Sequence, residues 1–231
     1  MQKKRVFLTR TLHNFALKEL KKKYQIEIHT GKIPIPKNIL KNKIKTIDGL
    51  ICFPYDKIDN KMIDLSTNLK VISTFSVGFD HIDINHAKKK KIRVGYTPKV
   101  LTDATADLAF ALMIDLVRRV SEGDRIIRNG KWRQIYGAQD YVGMDLQGKT
   151  LGILGMGRIG STLAKRAKAF EMNVIAFDIV QDQETADEIE VDFVSLDELA
   201  KESDFITCHV PLTPDTKHIV NKQLLEKMKN V

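Results

Sequence analysis

This sequence predicts an α/β fold built on parallel sheets, in two successive parts, and three observations predict it. From the start to about Pro98, short apolar runs alternate with longer, lysine-rich amphipathic segments, which is a βα rhythm. Thr97-Pro98 breaks that rhythm, and a long helical pattern comes after it. Residues 149–178 then run strand, glycine turn, helix, strand and terminal acid without interruption. A chain of 231 residues with 43% apolar content is long enough for two modest domains, each with its own core.

In the first part the apolar runs place strands at 6–8, 25–29, 49–52, 71–75 and 93–96. Helices are expected at 12–22, 37–44, 61–67 and 84–90, the second preceded by Pro36 in a favourable starting position. Parallel sheets carry their functional loops at the carboxyl ends of strands. Phe53-Pro54-Tyr55-Asp56 and Ser76-Val77-Gly78-Phe79-Asp80 are therefore the loops of interest. A helix at 102–120 comes next. Leu108, Leu112, Leu116 and Val120 recur at four-residue spacing, with Ala109, Met113 and Val117 beside them, and this stripe is expected to be core. Gly123 and Gly130 punctuate the segment after that helix. Residues 132–147 show no period but hold Trp132, Tyr136 and Tyr141, an arm that either covers its own domain or packs on another subunit.

The second part begins with an apolar strand at 150–154, followed by Gly155, Gly157 and Gly160 at G-x-G-x-x-G spacing. Leu163, Ala167 and Phe170 mark the buried side of a helix, and Lys165, Arg166 and Lys168 fall elsewhere. A second strand at 173–177 ends at Asp178. Any strand-turn-helix needs small residues, but the acid in register adds a dinucleotide-binding logic. Gly155 permits the tight turn, Gly157 lets a pyrophosphate approach backbone, and Gly160 lets helix and strand pack closely. The helix N-terminus receives phosphate. An Asp178 carboxylate accepts hydrogen bonds from ribose hydroxyls and repels a 2′-phosphate, so NAD is expected over NADP. Beyond it lie a short strand at 191–194, a helix at 195–202 with Ser195 as N-cap and Glu198 completing a capping box, and a strand at 204–209. A proline-stiffened loop, Val210-Pro211-Leu212-Thr213-Pro214-Asp215-Thr216, precedes a last helix at 222–229.

The formal charge of +9 is spread along the chain, with runs at Lys21 to Lys23 and Lys88 to Lys91. No nucleic-acid module or basic-aromatic stripe accompanies it, so it reads as solvated surface and no nucleic-acid partner is expected. Cys52 and Cys208 sit in strand-like runs and read as reduced core residues. No ligand spacing suggests a metal. Without a signal-peptide pattern or a membrane-spanning run, a cytoplasmic location is the default expectation.

Taken together, four motifs resemble the D-isomer-specific 2-hydroxyacid dehydrogenases, most closely their glyoxylate and hydroxypyruvate reductase branch. They are Ser76-Val77-Gly78-Phe79-Asp80-His81-Ile82-Asp83, the stretch from Thr97-Pro98 to Asp107, the glycine loop with Arg158-Ile159-Gly160, and His209-Val210-Pro211-Leu212-Thr213-Pro214. The resemblance implies a flavodoxin-like substrate domain over 1–98 and a doubly wound Rossmann NAD-binding domain over 99–231. The implied reaction is hydride transfer between nicotinamide and a small 2-oxo or 2-hydroxy acid, in a cleft between two domains of a homodimeric enzyme. By the same carry-over, Val77 and Gly78 hold the substrate carboxylate through backbone amides. Val77 and Thr105 face the nicotinamide end, Arg158 and Ile159 the pyrophosphate, Asp178 the ribose, and Val210 with Pro211 the adenine side. An ordinary tight turn at Val77-Gly78 and a plain helix cap at Thr105 are the competing readings.

Two departures from the family pattern stand out. Phe53-Pro54-Tyr55 replaces a leucine-serine type sequence, which changes the wall near the substrate and leaves the choice of 2-oxo acid open. The family's substrate-gripping arginine, its glutamate and its histidine acid are expected beyond Val231, so the cofactor domain is expected to be C-terminally incomplete and no catalytic residue is assigned within the sequence. Such a chain should bind cofactor with little turnover and expose apolar sheet edge. Of the histidines present, His81 follows the carboxylate loop and reads as an exposed loop residue. His209 lies at a strand end, and His13, His29, His86 and His218 lie on surface elements. The alternative to a dehydrogenase is a non-catalytic NAD-binding module that senses cofactor or binds a partner.

Overall fold

The computed structural model describes residues 3–132 and 136–229, and the chain divides into two compact units, Met1–Val100 and Leu101–Val231. In the first unit, strands β1 (Arg5–Leu8), β2 (Gln25–Ile28), β3 (Gly49–Cys52), β4 (Val71–Thr74) and β5 (Arg93–Gly95) alternate with helices α1 (Asn14–Lys23), α2 (Lys37–Ile44), α3 (Asn60–Asp64) and α4 (Ile84–Lys89). All pairings are parallel, in the order β2-β1-β3-β4-β5. This is the flavodoxin-like order. Side chains alternate between faces along each strand. Phe7, Leu50, Cys52 and Ile72 accordingly pack with Leu40 and Ile44 of α2, Met62 and Ile63 of α3 and Ala87 of α4. Val6 and Leu8 take the other face with Leu17 of α1.

The second unit opens with α5 (Thr102–Arg118) and α6 (Val120–Arg128). It continues with β6 (Thr150–Leu154), α7 (Arg158–Ala169), β7 (Asn173–Phe177), α8 (Gln183–Glu188), β8 (Asp192–Phe193), α9 (Leu196–Glu202), β9 (Phe205–Cys208) and α10 (Lys222–Leu225). The four strands are parallel in the order β8-β7-β6-β9, so the chain reverses direction across the sheet between β6 and β9. That reversal is the switch point of a doubly wound sheet. Leu151 and Ile153 pack against α5 and α7 on one face, and Leu154 packs with Leu199, Ala200 and Leu224 on the other. Gly152 points toward α9, where a Cβ would lie 2.1 Å from Ser203 Oγ and 2.8 Å from Leu199 Cδ2.

The structure corrects several element-level expectations. The helix expected to reach residue 120 stops at Arg118, because Arg119 adopts a left-handed conformation (φ 54°) and restarts the chain as α6. The Leu108, Leu112, Leu116 and Val120 stripe is exposed rather than core, with Leu116 at 73%. Ala106, Phe110 and Val117 are the buried residues of α5, backed by Ala109, Met113 and Ile114. Spacing of four fits either of two adjacent faces, and the approach of α7 selects the one with Ala106 and Phe110. Arg166 of α7 holds that choice from outside, its Nε 2.5 Å from Asp107 and its Nη2 3.3 Å from Asp103.

In the arm, residues 133–135 lie outside the described residues, while Tyr141 turns back onto its own unit. Its hydroxyl donates to the Arg119 carbonyl and the Arg119 guanidinium sits 4.6 Å over its ring. The helix α8, capped by Asp182, has no counterpart among the elements expected from sequence, and α10 is shorter than the expected 222–229. Ser195 caps α9 as expected, accepting from Glu198 N–H at 3.2 Å. Cys52 is buried, whereas Cys208 is exposed at the end of β9 and is not a core residue.

The Gly152 contact yields a stability prediction. Gly152→Ala should force Ser203 and Leu199 away from β6 and destabilise the second unit by roughly 1–3 kcal/mol, read as a lowered urea midpoint. An unchanged midpoint would contradict the packing described.

Candidate functional site

Parallel register brings the carboxyl ends of β6, β7 and β9 side by side, with Leu154 paired to both Phe177 and Cys208. Gly155, Asp178 and His209 each follow one of these ends and form a single rim. Gly155 N–H donates to Phe177 O at 2.9 Å and His209 N–H to Leu154 O at 2.7 Å. Gly155 turns the chain with φ at 94°, a region that disfavours any side chain. A Cβ there would also lie 2.8 Å from Val210 N and 3.0 Å from Val210 Cγ1, so the loop after β9 rests directly on the glycine turn. Gly160, in the first turn of α7, would carry its Cβ 2.2 Å from Gly155 O. Helix and turn meet there with no space for a methyl group. Gly157 is the N-cap of α7, and a Cβ on it would meet nothing within 4 Å.

Asp178 leans into this turn. Its carboxylate accepts from Met156 N–H at 2.8 Å and from Val180 N–H at 3.0 Å, which fixes its plane beside the glycine loop. A carboxylate has further lone pairs to offer hydroxyl donors. Open space over Gly157, the first-turn amides of Arg158, Ile159 and Gly160, and an anchored acid on the neighbouring strand fit a dinucleotide with its diphosphate at the helix end. The structure thus brings Gly155, Gly157, Arg158, Ile159, Gly160, Asp178, Val210 and Pro211 to one sheet edge. Thr105 lies inside α5, whose N-cap is Leu101, so it is not a helix cap.

In the first unit the carboxyl ends of β1, β3 and β4 form a second rim. Buried Asp56 accepts from the Thr9 hydroxyl and from Phe53 N–H at 2.9 Å, tying the loop after β3 to the end of β1. Arg10 lies over the rings of Phe53 (5.1 Å) and Tyr55 (5.8 Å), and Phe53 stacks at 5.3 Å on Phe75. Val77 and Gly78 follow Phe75 after one residue. Ser76 O accepts from Thr97 N–H at 2.9 Å and from the Thr97 hydroxyl at 3.0 Å, and Ser76 Oγ donates to Gly78 O at 2.6 Å.

Sequence reasoning missed Arg10 and Thr74, and it named Asp56 and Ser76 only as members of loops of interest, without their anchoring roles. Their position at or just past strand ends was the available signal. His81 is half-buried and hydrogen-bonded to Thr74 Oγ1 at 2.9 Å, not a free loop residue. Burial pushes its pKa below the ordinary value, against the pull of Asp80 and Asp56. His209, bonded to Thr207 Oγ1 at 2.9 Å, is lowered by burial too. Cys52 is pushed up to about 12 by burial, which keeps it an unreactive thiol. Among the described residues, no three His, Cys, Asp or Glu side chains group to hold a metal ion, and no helix is long and apolar enough to cross a membrane.

A doubly wound sheet with a glycine turn and a helix N-terminus at its switch point, and an acid at the end of the neighbouring strand, has the form of a dinucleotide-binding domain. Comparison with known proteins narrows this. Residues 110–231 match the family model for the D-isomer specific 2-hydroxyacid dehydrogenase NAD binding domain. The chain is 42% identical over 230 residues to the glyoxylate reductase of Thermococcus litoralis, covering 98% of this chain and 70% of that protein. Its fold matches a crystal structure of a Thermus thermophilus protein with a TM-score of 0.89 at 42% identity, covering 97% of this chain and 70% of that one. The D-lactate dehydrogenase of Aquifex aeolicus, solved with NAD and lactic acid, matches with a TM-score of 0.84 at 32% identity, over 97% of this chain and 66% of that one. The chain belongs to the D-isomer-specific 2-hydroxyacid dehydrogenase family, on its glyoxylate reductase branch. It is by family an oxidoreductase of 2-hydroxy acids with an NAD-binding domain.

The two lowered histidine pKa values set a pH dependence. Both imidazoles are neutral in the fold, while the unfolded chain takes up protons once the pH falls below the ordinary 6.5. Their effect is absent above 6.5, and stability declines as the pH falls through the lowered values. Urea midpoints measured between about pH 7 and 5 should therefore fall, and a His81→Gln/His209→Gln double variant should show a flatter slope. An identical slope in the double variant would rule these histidines out.

Proposed function

We propose that this chain serves a reductase of glyoxylate, hydroxypyruvate or a similarly small 2-oxo acid, with residues 1–98 as the substrate-binding domain and 99–231 as the NAD-binding domain. The observation that best supports the reading is the rim where Gly155, Asp178 and Val210 meet. The first-turn amides of α7, at Arg158 and Ile159, receive the diphosphate. Asp178, its plane set by Met156 and Val180, takes the adenine ribose hydroxyls and opposes a 2′-phosphate. Val210 and Pro211 line the adenine side, and Thr105 faces the nicotinamide end. When bound, NADH supplies the hydride.

In the first unit, backbone N–H groups of Val77 and Gly78 hold the substrate carboxylate, since adjacent amides at a strand end suit an anion. Phe53, bearing on Phe75 and carrying Arg10, walls that loop with an aromatic surface. This favours compact 2-oxo acids with an apolar or short hydroxymethyl substituent. We place the chain in the cytoplasm, where two free thiols persist.

A second copy of the chain is the proposed partner for the exposed face of α5. Leu108, Leu112 and Leu116, at 60%, 60% and 73% exposure, form an apolar row of the kind that subunit interfaces cover. Sedimentation should find a dimer that Leu112→Glu/Leu116→Glu converts to monomer without loss of NADH binding. A monomeric wild type would refute this assignment.

Calorimetric titration tests the cofactor reading. NADH should bind about tenfold or more tightly than NADPH, and Asp178→Ala should remove most of that preference. Equal or tighter NADPH binding by the wild type would overturn the role given to Asp178, and absence of NADH binding would overturn the whole proposal.

A further inference from the structure

Three hydrogen bonds in the first unit form a continuous chain: His81 Nε2 to Thr74 Oγ1 (2.9 Å), Thr74 Oγ1 to Ser76 Oγ (2.7 Å) and Ser76 Oγ to Gly78 O (2.6 Å). Its proton order is determined from one end. A carbonyl oxygen only accepts, so Ser76 donates to Gly78. Having given its one proton, the Ser76 hydroxyl accepts from Thr74, and the Thr74 hydroxyl in turn accepts from His81. His81 must therefore carry its proton on Nε2. The middle of the relay is rigid, because Thr74 is 1% exposed. Burial favours a neutral imidazole, for which this order specifies a single tautomer.

The relay acts on a particular piece of backbone. The peptide that carries the Val77 N–H is the one whose carbonyl belongs to Ser76, and both the amide and the hydroxyl of Thr97 hold that carbonyl. The carbonyl of Gly78 belongs to the next peptide but one, and the relay holds it. The Val77-Gly78 peptide, which carries the Gly78 N–H, is thus suspended between two fixed planes at a residue with no side chain to stiffen it. We propose that His81 is a positioning residue: through the hydroxyls of Thr74 and Ser76 it fixes the Gly78 carbonyl and so pre-orients the Val77 and Gly78 amides toward a substrate carboxylate. The assignment rests on the reading of that loop as the carboxylate site. It gives His81 no part in proton transfer to substrate. Its contribution is to remove, before binding, the conformational freedom that the loop would otherwise lose on binding.

The test uses the full chain with oxamate as a carboxylate-bearing 2-oxo acid analogue. Imidazole nitrogen NMR should find His81 as the Nε2–H tautomer, and Nδ1–H would overturn the relay. In calorimetry with saturating NADH, His81→Phe should weaken oxamate about five- to tenfold, the worth of one lost hydrogen bond, while NADH affinity stays unchanged. His81→Gln, whose amide nitrogen reaches the same position, should restore most of the loss. Ser76→Ala breaks the relay at an accessible site without touching the imidazole, and should reproduce His81→Phe should that variant fold poorly. Amide exchange at Val77 and Gly78 should quicken in both broken variants and recover in His81→Gln. Wild-type oxamate affinity in His81→Phe and Ser76→Ala, or unchanged exchange, would refute the proposal. Failure of the wild type to bind oxamate, with the tautomer and exchange pattern as expected, would instead sink the carboxylate reading and leave the relay as a device for holding the loop.

Discussion

The rim at the carboxyl ends of β6, β7 and β9 depends on one close approach, that of Gly160 to the carbonyl of Gly155. A methyl group at Gly160 would lie 2.2 Å from that oxygen, and backbone cannot retreat as a flexible side chain can. Because nothing intervenes, α7 begins directly against the turn that ends β6, and its unsatisfied first-turn amides face the rim. The same turn serves as a seat for Val210 and as the donor that fixes Asp178 through Met156. Three sequence-distant segments are therefore positioned by one glycine contact and by the parallel register of β6, β7 and β9.

The first unit solves a related problem with polar anchors. Its loops leave the sheet at the ends of β1, β3 and β4 and are held there by side-chain hydrogen bonds. Buried Asp56 ties the Phe53 loop to Thr9, Thr97 holds Ser76, and the Thr74–Ser76 pair continues the sheet's order into the following turn. Such groups are costly to bury alone and become assets only when every partner is present. Among the described residues, no buried side-chain nitrogen or oxygen lacks a partner. The aromatic shelf of Phe53 and Phe75 then rests on a loop that is already fixed.

Much of this was legible in the sequence, and the exceptions share a cause. The strands β3, β6 and β7 and the helix α2 fall at the expected residues, because short apolar runs bounded by glycine, proline or acid leave little choice. The glycine spacing and Asp178 announced their own geometry for the same reason. The α5 face was misjudged because leucines at four-residue spacing and the Ala106-Phe110-Val117 set fit a helix equally well, and only the approach of α7 separates them. Arg119 gave no warning, since its left-handed conformation is offset by the local Glu122 pair together with the Tyr141 ring and hydroxyl from 22 residues away, which no local pattern encodes. The Thr9–Asp56 and Thr74–His81 bonds span 47 and 7 residues, and single threonines and histidines carry no periodic signature.

The contrast between the two cysteines has a practical consequence. Cys52 is sealed in a core and holds its proton far above neutrality, whereas Cys208 lies exposed at the end of β9, one residue before His209 and two before Val210. A maleimide dye added to the unaltered polypeptide would therefore attach at a single address, beside the loop that rests on the Gly155 turn. Such a label would report changes at that turn with no engineered thiol and no deletion of a competing one.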